Sequence, residues 1–178
     1  MSAVPFIEVK PLTKAGFAPF GDVIETEGAE HFAINNGFTQ RYHRLAAVTL
    51  AQAEDEAIVN IFVSRRWEHP IQLAMLEQHP LGSQAFIPMD KQPFIVVVAE
   101  KADNGSPNTL HAFVTNGQQG VNYAKGVWHH PLLILAPEQR FLVVDRSGEG
   151  NNLIEVDLCM ALQAQIDLQT LIAEHIGA

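Results

Sequence analysis

Apolar residues along most of this chain come in short runs or alternate with polar ones, and turn-forming residues separate the runs. Ala57 to Val63 (AIVNIFV) and Phe94 to Ala99 (FIVVVA) are rich in β-branched residues, the composition that suits a pleated, packed surface. Ile71, Leu73 and Met75 alternate with Gln72 and Ala74, and Leu110–Val114, Leu132–Leu135 and Phe141–Val144 are further strand-sized runs. Asn35-Asn36-Gly37, the Lys101–Asn108 segment and Thr115-Asn116-Gly117 read as turns or loops because Asn and Gly tolerate left-handed backbone. Near the start, Pro5 to Val9 alternates weakly as an edge strand. Thr13 is placed to N-cap a short helix reaching Phe20, with Phe17 and Phe20 inward, and Val23-Ile24-Glu25 resumes an extended run. From Val156 to Ile176 the period changes, since Leu158, Leu162, Ile166, Leu168, Leu171 and Ile172 form an approximately helical stripe. The pattern predicts one all-β domain over residues 1–178, a barrel or sandwich. It also predicts a helical extension over 156–176, broken near Asp167 and docked on the barrel or on a second subunit.

Charge and composition narrow the partners. The formal net charge is −9 over 178 residues, and Arg65-Arg66 is the one adjacent basic pair, so a nucleic-acid partner is excluded. No basic amphipathic face points to a membrane surface, and no apolar run is long enough for a spanning helix. Cys159 is the single cysteine, which leaves no internal disulfide and no paired-cysteine zinc pattern. The opening MSAVPFIEVK has no charged start followed by a long apolar run, and a cytoplasmic location is expected. A small barrel leaves edge strands that need cover, so a homodimer is expected.

The chemistry concentrates in Leu76 to Met89, LEQHPLGSQAFIPM. Glu77 and His79 are two apart, so on a strand they leave the same face. Pro80 and Gly82 then turn the chain, and Gln84 leads the next apolar run. The spacing Glu77-x-His79-x4-Gln84 is similar to the first motif of cupin barrels, H-x-H-x4-E. Ala124-x-Gly126-x-x-His129 is similar to the second, P-x-G-x-x-H. Taken alone, Glu77 reads as a solvated strand-edge charge and His79 as a turn histidine; the second motif, in the right order, shifts both toward a site. Adjacent strand residues face opposite ways, so of His129 and His130 only one can point into a barrel. The spacing selects His129 and leaves His130 as a packing or interface residue.

Several blocks resemble the ureidoglycolate lyase family, formerly called ureidoglycolate hydrolase. They are FGDVIET at Phe20–Thr26, INNG at Ile34–Gly37, RYH at Arg41–His43, EQHPLGSQAFIPM at Glu77–Met89, TNGQQGVNY at Thr115–Tyr123, VWHHPL at Val127–Leu132 and FLVVDR at Phe141–Arg146. The C-terminal tail lies outside these blocks. The resemblance implies a cupin-like double-stranded β-helix, an antiparallel jelly-roll barrel, and a homodimer. It implies a small-molecule enzyme of allantoin and purine nitrogen breakdown that cleaves (S)-ureidoglycolate to glyoxylate and urea, and it associates nickel with the activity. Against a standard cupin, Glu77 replaces the first motif His and Gln84 the motif Glu. A neutral amide is a weak ligand, which makes divalent metal binding less secure here.

Cleaving this substrate requires a base for the hydroxyl proton, an acid for the departing nitrogen and a cation for the carboxylate. Glu77, His79, Gln84 and His129 are expected to form one cluster. They are the ligands if a metal is bound; if none is, His79 or His129 is the base and Glu77 orients it. Arg41, Lys125 and Arg146 are the candidate carboxylate clamps. Against that stand a surface charge at Arg41, a solvated turn lysine at Lys125 and an Asp145 ion pair at Arg146. Asn122 and Tyr123 are candidates for hydrogen bonds to the ureido group, or for simple packing. Rival functions are another cupin-type enzyme, an isomerase or metal-dependent dioxygenase, and a non-catalytic small-molecule-binding barrel.

Overall fold

The computed structural model describes residues 4–176, so the first three residues of the N-terminal stretch lie outside it. Its regular structure is almost entirely β. One sheet runs in the order Val9–Pro11, Pro107–Val114, Phe94–Lys101, Trp128–His129, Met75–Gln78, Ile154–Asp157, with Leu133–Ile134 also on Phe94–Lys101. The second runs Gly21–Ile24, Gly120–Tyr123, Gln84–Pro88, Glu138–Ser147, Glu56–Arg65. Within these two sheets pairing is antiparallel except where Val9–Pro11 lies parallel to Ala112–Val114. Most of the strands thus form two large sheets rather than one closed cylinder, with two small two-stranded sheets beside them, within the expected all-β, cupin-like class.

The run FIVVVA explains how the layers stack. Phe94, Val96 and Val98 point into a core shared with Phe86, Val121, Phe141 and Val143 of the second sheet. Ile95 and Val97 point the other way, into a second core with Leu73, Val114, Leu133 and Ile166. A strand covered on both faces has no polar alternation, hence the unbroken apolar run. Phe94 and Phe141 are fully buried, with ring centroids 5.0 Å apart and planes at 82°. Truncating either to Ala costs about 3–5 kcal/mol. The short helix forms at Lys14–Phe17, ending before the expected Phe20, with Thr13 accepting from the Gly16 N–H and Phe17 buried. The Asn35–Gly37 turn joins His31–Ile34 to Thr39–Tyr42, and Asn36 and Gly37 both take positive φ.

The tail departs from the helical extension expected over 156–176 on the N-terminal side of Asp167, the position where a break was expected. Ile154–Asp157 pairs with Met75–Gln78, and Ala164–Ile166 pairs with Ile71–Leu73. The helix is confined to Leu168–His175. Ala164 and Ile166 are buried while Gln165 between them is not, a period of two that the sparse apolar stripe had masked. Asp167 then accepts from the Thr170 N–H and starts the helix. Leu168 and Leu171 bury against Ile95 and Val97, so the helix docks on this chain's own sheet. No helix among the described residues is long and apolar enough to cross a membrane.

Candidate active site

The two motif segments meet through backbone pairing. His129 pairs across from Glu77, and Glu155 lies on the other side of Glu77. In a pair of this kind directly opposed side chains share a face. His79 follows the strand end, and Gly126 donates its N–H to the His79 carbonyl at 2.8 Å. Gly126 does so at φ +75°, in a tight turn that a side chain would strain. The result is a group of three: one ligand-type atom from each of Glu77, His79 and His129 lies within 4.8 Å of the others.

Hydrogen bonds behind the rings decide what faces the cluster. His79 Nδ1 lies 2.7 Å from the Asn152 carbonyl, and His129 Nδ1 lies 2.9 Å from the Val127 carbonyl. A carbonyl oxygen only accepts, so each Nδ1 carries the proton and each Nε2 of a neutral ring is left with a lone pair. Both Nε2 atoms are buried without a hydrogen-bond partner, and His129 Nε2 faces Glu77 Oε1 at 3.4 Å. Two acceptors in that position call for something between them, a proton or a cation. The donor set fits a divalent metal: two imidazole lone pairs, one carboxylate, and backbone carbonyls bonded to the far ring nitrogens.

The surroundings bias the protonation states. Burial alone would raise the Glu77 carboxyl, but its closeness to the His129 ring, at 3.4 Å, and to His79 and His130 outweighs this, so Glu77 sits below the usual carboxylate range. Burial pushes the Tyr123 hydroxyl up, and the Glu77 charge adds to this. Tyr123 stacks on the His129 ring at 4.1 Å and 13°. Burial lowers His130, which bonds the Pro131 carbonyl and packs edge-on against Trp67.

A cavity of about 430 Å³ opens onto the cluster, lined by Glu77, His79, Gln84, Ser64 and Arg65 with Phe62, Trp67, Phe86, Pro131, Leu132 and Leu153. That is the size and mixed character of a small-molecule site. His129 lies behind it, only 2 % exposed. The Gln84 amide nitrogen is 3.5 Å from Asp145 Oδ2, and its Oε1 is buried and unpartnered. Asn122 gives its amide N–H groups to Asp22 and the Ala47 carbonyl.

The three expected cations lie elsewhere. Arg41 sits on an exposed hairpin, over the Phe32 ring at 5.8 Å. Lys125 is exposed in the turn before Gly126. Arg146 is buried against Asp55, not Asp145, with Nη2 donating at 2.5 Å to Asp55 Oδ1 and at 2.6 Å to the Glu149 carbonyl. None of the three lines the cavity. Asn152 was missed from sequence; it accepts from His79 with its backbone carbonyl and from the Leu81 N–H with its side chain at 2.8 Å. Nothing in residue type marks a loop asparagine for that task.

Comparison with known proteins is extensive. The family model described as Ureidoglycolate lyase matches residues 4–165. A ureidoglycolate lyase of Pseudomonas paraeruginosa is 60% identical over 146 residues, covering 82% of this chain and 86% of that protein. One from Stutzerimonas stutzeri is 55% identical over 163 residues, covering 92% and 96%. Among solved structures, a dTDP sugar isomerase from Desulfovibrio desulfuricans matches with a TM-score of 0.43 at 12% identity, over 76% of this chain and 83% of that one.

Proposed function

The chain belongs to the ureidoglycolate lyase family, and from that premise we propose that it cleaves (S)-ureidoglycolate to glyoxylate and urea at Glu77, His79 and His129. The observation that carries the assignment to this cluster is the pair of buried, unpartnered Nε2 atoms close to a carboxylate that lines the cavity.

Ureidoglycolate carries a hydroxyl, a carboxylate and a ureido nitrogen on one carbon. In the proposed reaction one histidine Nε2 takes the hydroxyl proton. The O–H electrons become the second C–O bond, and the C–N bond breaks with its electron pair on nitrogen. That nitrogen takes a proton from an imidazolium of the cluster, and urea leaves; no water is consumed. Glu77 stabilises the imidazolium formed in between, as a carboxylate beside histidine does. Gln84 Oε1, held by the contact of its amide with Asp145, is an acceptor for a ureido N–H. Glu77, His79 and His129 would hold a divalent metal, nickel by the family resemblance, and such an ion supplies Lewis-acid polarisation of the substrate oxygens.

We further propose a cytoplasmic homodimer. Val59, Ile61 and Val63 are exposed along the Glu56–Arg65 edge strand, and a second copy would cover them. Light scattering at micromolar concentration tests the dimer. Incubation with (S)-ureidoglycolate tests the reaction. Equal amounts of glyoxylate and urea without ammonia support it, and ammonia release or no turnover, with and without added divalent ion, counts against it.

A further inference from the structure

We propose that Arg65 binds the substrate carboxylate and so selects for an anionic substrate, an inference that rests on the proposed reaction. Among the described residues, Arg65 is the only lysine or arginine that lines the cavity holding Glu77 and His79. The walls around it, Phe62, Trp67, Leu132 and Leu153, are apolar. An anion entering beside Glu77 meets a like charge there, and the polar lining residues His79, Gln84 and Ser64 carry no fixed positive charge, an arrangement that disfavours binding without a countercharge.

Arg65 is also free for the task where its neighbours are not. Its Nε lies 4.0 Å from Glu138 Oε2, and its side chain is 88% exposed, so it has no tight partner to give up. Arg66 instead directs Nη1 to the Leu135 carbonyl at 3.1 Å. Arg146 is committed to Asp55. Arg65 ends the Glu56–Arg65 strand, which pairs along its length with Glu138–Ser147, so a rigid element positions the base of a flexible side chain at the cavity mouth. A guanidinium offers two parallel N–H groups to a carboxylate, which an ammonium cannot.

The test measures Arg65→Gln, Arg65→Lys and Glu138→Gln for ureidoglycolate kinetics, and for glyoxylate and urea binding by calorimetry. Arg65→Gln is expected to raise KM about 10- to 100-fold with little change in kcat. It should weaken glyoxylate by a similar factor and leave urea binding unchanged. Arg65→Lys should recover part of the loss, and Glu138→Gln should leave KM at or below wild type. A wild-type KM and glyoxylate affinity in Arg65→Gln would overturn the proposal. So would equal weakening of glyoxylate and urea, or a KM rise in Glu138→Gln matching that of Arg65→Gln. Failure of the wild-type protein to cleave ureidoglycolate would instead refute the proposed reaction, while glyoxylate binding would still report on Arg65.

Discussion

Two clusters of ionisable side chains among the described residues, one fully buried and one largely so, differ in what they leave unsatisfied. At Asp55–Arg146 both side chains are 1 % exposed. Asp55 also accepts the backbone N–H groups of Ala51 and Gln52. Arg146 Nη2 donates to Asp55 and to the Glu149 carbonyl, while its Nε is buried without a partner. At Glu77–His79–His129 the backs of both rings are bonded, but both Nε2 atoms are left open toward the carboxylate. A closed cluster ties the fold together, here a loop to a strand. An open one holds polar atoms for something that arrives. One strand serves both: Arg146 turns to Asp55, while its neighbour Asp145 meets Gln84 and Asn60.

This contrast predicts that damage to the two clusters will separate activity from stability. The largest effect should come from His129→Ala and His79→Ala. Each should lower kcat/KM by at least ~10²-fold, the size of a lost acid–base group, with circular dichroism unchanged. Near-wild-type turnover in both would break the comparison. Arg146→Met should do the reverse. Thermal unfolding should move down by several degrees because Asp55 is left buried and unpaired, while turnover per folded molecule stays close to wild type. A selective loss of kcat with unchanged stability would make Arg146 part of the site.

Acid sensitivity should follow the closed cluster. The hydrogen bond from Arg146 holds the Asp55 carboxyl below its ordinary value, with the Gln52 and Ala51 N–H groups adding to it against the opposing effect of burial. A carboxyl depressed by folding contributes stability above its unfolded pKa, about 4, and that contribution is lost as pH falls through the folded value. Unfolding midpoints measured downward from pH 5 should therefore fall more steeply for wild type than for Asp55→Asn; parallel curves would remove Asp55 as a cause. The smallest effect is expected at the link between the clusters. Asn60→Ala removes the 3.1 Å bond to Asp145, costing about 1 kcal/mol and raising KM only slightly.

Sequence spacing served the open cluster well and the rest unevenly. Glu77, His79 and His129 were legible because strand geometry converts a two-residue spacing and a Gly-x-x-His turn into one face and one register. The carbonyls of Asn152 and Val127 were not, because every residue carries a carbonyl and only the fold selects which one is used. Asp55 and Arg146 are 91 residues apart, and no local pattern pairs them. The tail misled because Leu158, Leu162 and Ile166 fit a helical period, while Ala164 and Ile166 on an edge strand carry a period of two in only three residues. The missing cation was hidden by its setting: Arg65 is a surface-type residue at a strand end, and only the cavity shows what it borders.

The carboxylate of the open cluster is central to the proposed reaction, and Glu77→Gln is its sharpest test. The change keeps shape and removes only the charge beside His129. Steady-state release of glyoxylate and urea from ureidoglycolate should fall by at least ~10²-fold, with the unfolding midpoint close to wild type. Wild-type turnover by Glu77→Gln would contradict the assignment of the reaction to this cluster.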